Sequence, residues 1–99
     1  MPPRARKVDD NQKSIRLHLE AHGCYVQDCS RMGEGFPDLL VGYDGHWYAM
    51  EIKNPDGRNK FTPAQIEWLV RLGNRAKAYR VTTEQEAWNI INLGAQNGG

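Results

Sequence analysis

The sequence predicts a single α/β domain: a mixed β-sheet flanked by helices, in the order α-β-β-β-α-β-α. Three observations carry this prediction. Two apolar runs, 37–42 and 46–53, meet at Asp44-Gly45, a strong β-hairpin signal. Residues 46–82 then read strand, helix, strand, which normally closes as a right-handed crossover with parallel strands. The chain has 99 residues, enough for one hydrophobic core and too few for two.

Taken in order, residues 9–22 form a helix, with Val8, Gln12, Ile15, Leu19 and His22 at spacings of three and four. Asp9, three before Gln12, stands where a helix cap is expected, and Gly23 ends the helix. Residues 24–29 suit a strand. Pro37 opens the first hairpin strand, and HWYAMEIK makes the second. Thr62-Pro63-Ala64-Gln65 combines a cap, a first-turn proline and a capping-box glutamine, so a helix runs from there to about Arg75, with Ile66, Leu69, Val70 and Gly73 on one face. Residues 77–82 read as a strand, and Thr83 caps a last helix with Ala87, Ile90 and Ile91 as its apolar stripe. The ends, 1–7 and 95–99, are expected to be flexible.

Thirteen Lys and Arg against 12 Asp and Glu give a net charge of +1, so bulk electrostatics single out no polyanionic partner. Local clusters do exist: Arg4, Arg6 and Lys7 at the start, and Lys53, Arg58 and Lys60 in mid-chain. No apolar run approaches the roughly 20 residues of a membrane span, and no secretory signal opens the chain. Cys24 and Cys29, an odd number of residues apart on one strand, point to opposite faces and read as buried or half-buried free thiols in a reducing cytosol. His22 with these cysteines fits no usual zinc spacing, and His18 with His22 lacks a third ligand.

The chemistry lies in the hairpin. On 46–53 the side chains of Tyr48, Met50 and Ile52 face one way, and those of Trp47, Ala49, Glu51 and Lys53 the other. Asp38 heads the partner strand, where hairpin register brings it alongside Glu51. Two close carboxylates repel, which raises a pKa or demands a cation. Carboxylate oxygens with a backbone carbonyl and water suit Mg²⁺ or Mn²⁺, and a neighbouring lysine can contact a phosphate or orient an attacking water. A Glu-x-Lys triplet alone is common and reads as a surface ion pair; Pro37-Asp38 upstream and the Gln65 helix downstream change that balance. Gln65 shares a stripe with Leu69 and Leu72 that faces the sheet, and it also closes a capping box with Thr62; one residue can do both. Trp47 and Tyr48 are open to two uses, stacking on bases or packing under a helix.

Gly35…Pro37-Asp38…Glu51-x-Lys53 resembles the motif of the PD-(D/E)XK nucleases. With the short chain, the leading helix and Thr62-x-x-Gln65-x-x-Trp68, the sequence resembles the VRR-NUC branch in its small stand-alone phage and bacterial form, over residues 8–83. The resemblance implies a restriction-endonuclease-like core and Mg²⁺- or Mn²⁺-dependent DNA hydrolysis. It implies Asp38 and Glu51 as metal ligands with the Ile52 carbonyl as a third, Lys53 as catalytic lysine, and Gln65 beside them. Asp9, where the family carries a first-helix Glu, would touch the metal through water. Stand-alone members are associated with homodimers acting on branched DNA such as Holliday junctions, which implies a cytoplasmic protein on host DNA with no organic cofactor. Arg58, Lys60, Arg4, Arg6 and Lys7 are the expected DNA contacts. A flap-, nick- or end-directed nuclease is the rival enzyme, and a non-catalytic nucleic-acid-binding module the rival from another class.

Overall fold

A computed structural model describes residues 4–55 and 60–96, with the backbone alone described for residues 4–10 and 96. The elements are α1 (Arg4–Ala21), β1 (Tyr25–Asp28), β2 (Leu39–Tyr43), β3 (His46–Ile52), α2 (Pro63–Leu72), β4 (Ala78–Val81) and α3 (Glu84–Gln96), the expected order. They build one four-stranded sheet, β1-β2-β3-β4, antiparallel through β3 and parallel between β3 and β4. The crossover through α2 therefore produces the parallel pair that the strand–helix–strand pattern required.

One face of the sheet carries the core. Ile15 and Leu19 of α1, Leu39, Val41, Tyr48, Met50, Ile52 and Val81 of the sheet, and Ala87 and Ile91 of α3 are all buried there. The alternation in β3 holds: Tyr48, Met50 and Ile52 enter the core, while Trp47, 64% exposed, lies on the opposite face. Cys24 and Cys29 flank β1 as buried free thiols. Gly23, at φ 91°, ends α1 in the left-handed conformation that a β-carbon disfavours.

Expectations fail for two of the helices. Helix α1 starts at Arg4 rather than at residue 9, because Arg4-Ala-Arg-Lys are strong helix formers that carry the helix past its apolar stripe. Asp9 thus sits inside the helix and cannot cap it. Helix α2 stops at Leu72, where Gly73 at φ 61° returns its N–H to Leu69. Its expected apolar face is not buried: Ile66 is 51% and Val70 73% exposed, and no α2 residue is buried. The helix instead turns its Gln65 and Trp68 side inward. Gly35, at φ 80°, lies so close to the α2 backbone that a β-carbon there would stand 2.2 Å from the Ala64 carbonyl oxygen. Trp68 meets Phe36 edge to face at 5.4 Å. Contact through these residues orients α2 by its first two turns, leaving Ile66 and Val70 outward.

Candidate active site

The hairpin turn sets the site. Asp44 and Gly45 both have positive φ, 51° and 83°, the two-residue turn whose twist matches the flanking strands. It fixes the register Tyr43↔His46 through Leu39↔Met50, and one further step places Asp38 across from Glu51. A one-residue slip would send Glu51 to the core face.

Asp38 is held from both sides. Its carbonyl accepts from the Cys29 N–H at 2.7 Å, and its Oδ2 accepts from the Ile52 N–H at 2.9 Å. The next amide, Lys53 N–H, points to the other neighbour and donates to the Val81 carbonyl at 2.9 Å. Within an extended strand a residue's N–H and C=O leave on the same side. The Ile52 carbonyl therefore leaves β3 toward Asp38.

Glu51 is buried, 7% exposed. Its Oε2 accepts from Gln65 Nε2 and lies 3.4 Å from Lys53 Nζ. Lys53 Nζ also donates to Gln65 Oε1 at 2.9 Å and stands 5.4 Å from the centre of the Phe61 ring. Gln65 Oε1 accepts in addition from the Thr62 N–H at 2.8 Å, while Gln65 N–H donates to Thr62 Oγ1 at 3.1 Å. Gln65 thus closes the capping box of α2 and bridges Glu51 to Lys53, the double role the sequence allowed. Helix and metal-binding candidate are tied by one amide.

Burial, and then the neighbouring Asp38 charge, pushes the Glu51 carboxyl up to about 7, against the pull of Lys53. Asp38 is also raised, chiefly by burial, although the Ile52 N–H, Glu51 and Lys53 oppose the shift. Both carboxyls are thus held above the usual carboxylate range, the condition a bound cation would relieve. The donor set fits a hard divalent ion: two carboxylates and a carbonyl converging, with remaining positions for water and phosphate oxygens. Among the described residues no group of three or more His, Cys, Asp or Glu competes as a metal cluster.

The structure brings Asp38, Glu51, Lys53 and Gln65 together and directs the Ile52 carbonyl toward them. Lys60 is exposed in the segment leading to Phe61. Arg58 lies outside the described residues, as do the side chains of Arg4, Arg6, Lys7 and Asp9, whose backbones belong to α1. His18 and His22 form no metal site: His22 Nδ1 hydrogen-bonds the His18 carbonyl, and its ring stacks on Trp88 at 4.1 Å.

Three residues at the site escaped sequence reasoning. Asn11 Nδ2 donates to the Lys53 carbonyl at 3.1 Å, across 42 residues of chain. Phe61 lies beneath Lys53. Arg80 pairs in register with Glu51 across the parallel strands and shares its face. The crossover implied β3–β4 pairing but not its register, so nothing local marked Arg80.

No family model matches the sequence, and no curated protein matches it. A solved structure titled "VRR_NUC domain" is similar to this chain, with a TM-score of 0.68 and 29% identity over 87% of this chain and 95% of its own.

Proposed function

The chain belongs to the VRR-NUC family, and from that premise we propose that it is a Mg²⁺- or Mn²⁺-dependent deoxyribonuclease that hydrolyses phosphodiester bonds, selectively in branched DNA such as Holliday junctions. The observation that carries the proposal is the convergence of Asp38, Glu51, Lys53 and Gln65 on the face of the sheet opposite the core.

Asp38, Glu51 and the Ile52 carbonyl would hold the cation. When bound, it supplies positive charge to the phosphoryl oxygens and acidifies a coordinated water. The chain's own groups do the rest. Glu51 and Asp38, both raised in pKa, would hold the cation as the ionised pair. Lys53 presents an ammonium beside them, placed to donate to the attacking water or to charge developing on the phosphate. Gln65 fixes that ammonium and the Glu51 carboxylate relative to each other, and its own rotamer is locked by Thr62. Asn11 anchors α1 to the strand end that carries Lys53. Lys60 and Arg58, with Arg4, Arg6 and Lys7, would neutralise DNA phosphates along the approach.

Two symmetric cuts in a junction need two sites, and a twofold homodimer supplies them. The exposed Ile66 and Val70 of α2 offer apolar surface for such an interface.

The test is cleavage of labelled duplex, single-stranded, flap and four-way junction DNA with Mg²⁺, Mn²⁺ or EDTA. Paired, metal-dependent incisions in the junction are expected. Faster cutting of flaps or ends than of junctions would assign the chain to the flap- or end-directed class, and no cutting of any DNA with metal would refute the nuclease reading.

A further inference from the structure

Helix α2 crosses the sheet without burying a single residue, and the space it leaves is a cavity of about 260 Å³ beside Glu51. Phe61, Trp68, Leu69 and Ala78 supply apolar walls, and Arg80 joins the lining. The walls are set in advance. Trp68 is braced by Phe36, Phe61 lies against the Lys53 ammonium, and the close approach of Gly35 to Ala64 pins the first turn of α2. Ala78 keeps the sheet side shallow. Arg80 is exposed, and among the described residues no carboxylate lies within 4 Å of it. In register with Glu51 on the same face, it brings a cation to the space the carboxylates border, with Glu86 near enough to feel its charge but not paired with it.

A ligand for this cavity needs a flat apolar body for the aromatic walls and an anion for Arg80, and must reach the Asp38–Glu51 pair. A nucleotide has all three. We propose that the cavity is a nucleotide subsite: a base taken out of its stack enters between Phe61 and Trp68, and Arg80 binds the phosphate next to the one being cut. The proposal rests on the nuclease reading and deepens it, because it says which DNA is cut. Pulling a base from an intact duplex costs a few kcal/mol, least where the base is already unpaired. The subsite therefore favours a cut beside a point where stacking is already interrupted, as at the branch point of a junction or of a splayed arm.

The experiment measures binding by fluorescence anisotropy, using Asp38→Asn protein, since Asp38 does not line the cavity. The probes are splayed-arm oligonucleotides in which one abasic nucleotide is moved, position by position, through the unpaired arm across the cut site mapped with the wild-type chain. One position adjacent to the cut should weaken binding by roughly five- to 150-fold, the range for one base–aromatic stack. That dependence should fall below about twofold when Ala78→Phe fills the cavity, or when Phe61→Ala opens it, in proteins whose circular dichroism and melting show them folded. Arg80→Ala should weaken binding of intact and abasic probes alike. Equal binding at every abasic position, with wild-type cleavage intact, would overturn the subsite and leave the nuclease standing. A position-specific abasic effect that persists unchanged in Ala78→Phe and Phe61→Ala would also overturn it. Absence of any metal-dependent cleavage by the wild-type chain would instead remove the reading beneath it.

Discussion

Glu51→Gln should stabilise the metal-free protein at alkaline pH. In the unfolded chain Glu51 ionises near 4.5, while in the fold it holds its proton to about 7. Below pH 4.5 both states are protonated and the group is neutral in its effect. Between 4.5 and 7 the folded state keeps a proton that the unfolded state has released, so stability falls as pH rises, and it stays lower above 7. Asp38, also raised, acts with the same sign. Asp28, Glu84 and Glu86 are lowered by hydrogen bonds from Ser30, Ser14 and Thr82, and their contributions disappear only as pH falls below the usual carboxylate range. A displacement of that size sets a ceiling of roughly 3 kcal/mol, and because the unfolded chain is already largely ionised at pH 5, about 2 kcal/mol or more of it falls between pH 5 and 8.5. Glutamine mimics the protonated acid: its oxygen accepts from Gln65 as Oε2 does, and its NH₂ can donate to Asp38. Urea unfolding at fixed pH, in EDTA, should show wild-type stability declining over this window. Glu51→Gln should be flatter, and at pH 8.5 more stable by about 2 kcal/mol, or roughly 8–16 °C in Tm. Mg²⁺ or Mn²⁺ should reverse the wild-type decline, since binding requires the ionised pair. Glu51→Gln less stable than wild type at pH 8.5, or wild-type stability rising from pH 5 to 8.5, would refute the buried like-charge pair.

Further outcomes follow from the same geometry. Lys53→Ala should lower single-turnover cleavage at saturating protein by about 10²-fold or more while changing DNA affinity much less; a fall in affinity with an unchanged rate would make Lys53 a phosphate anchor. Gly35→Ala should destabilise the fold by about 2 kcal/mol, through positive φ and collision with the Ala64 backbone, which thermal melting will read. Light scattering at micromolar concentration should give twice the chain mass, and Val70→Asp should halve it; a wild-type monomer with activity linear in concentration removes the dimer.

Much of the fold was legible because local signals agreed with one another. Asp44-Gly45 fixed the hairpin, alternation in β3 separated Met50 from Glu51, and Thr62 with Gln65 marked the start of α2. These are short-range devices, and together they delivered Asp38, Glu51, Lys53 and Gln65 to one place. Where two local signals competed, tertiary contact decided. Asp9 looked like a cap, but the helix formers before it continued the helix. Helix α2 carries two stripes at permitted spacing, Ile66–Val70 and Gln65–Leu69–Leu72, and only the packing of Gly35 and Phe36 selects the second. Asn11 and Arg80 reach the site through a long-range contact and a parallel register, neither of which leaves a local trace.

The central claim is that Asp38 and Glu51 hold the ion on which DNA hydrolysis depends. Single-turnover cleavage of a labelled four-way junction, with protein in excess, tests it most directly for wild type, Asp38→Asn and Glu51→Gln in Mg²⁺, Mn²⁺ and EDTA. Wild type should cut with either metal and not in EDTA, while both variants bind the junction at least as tightly, having lost negative charge that faces phosphate, yet cut slower by about 10³-fold or more. Cleavage by Glu51→Gln in EDTA at the wild-type rate would contradict the account.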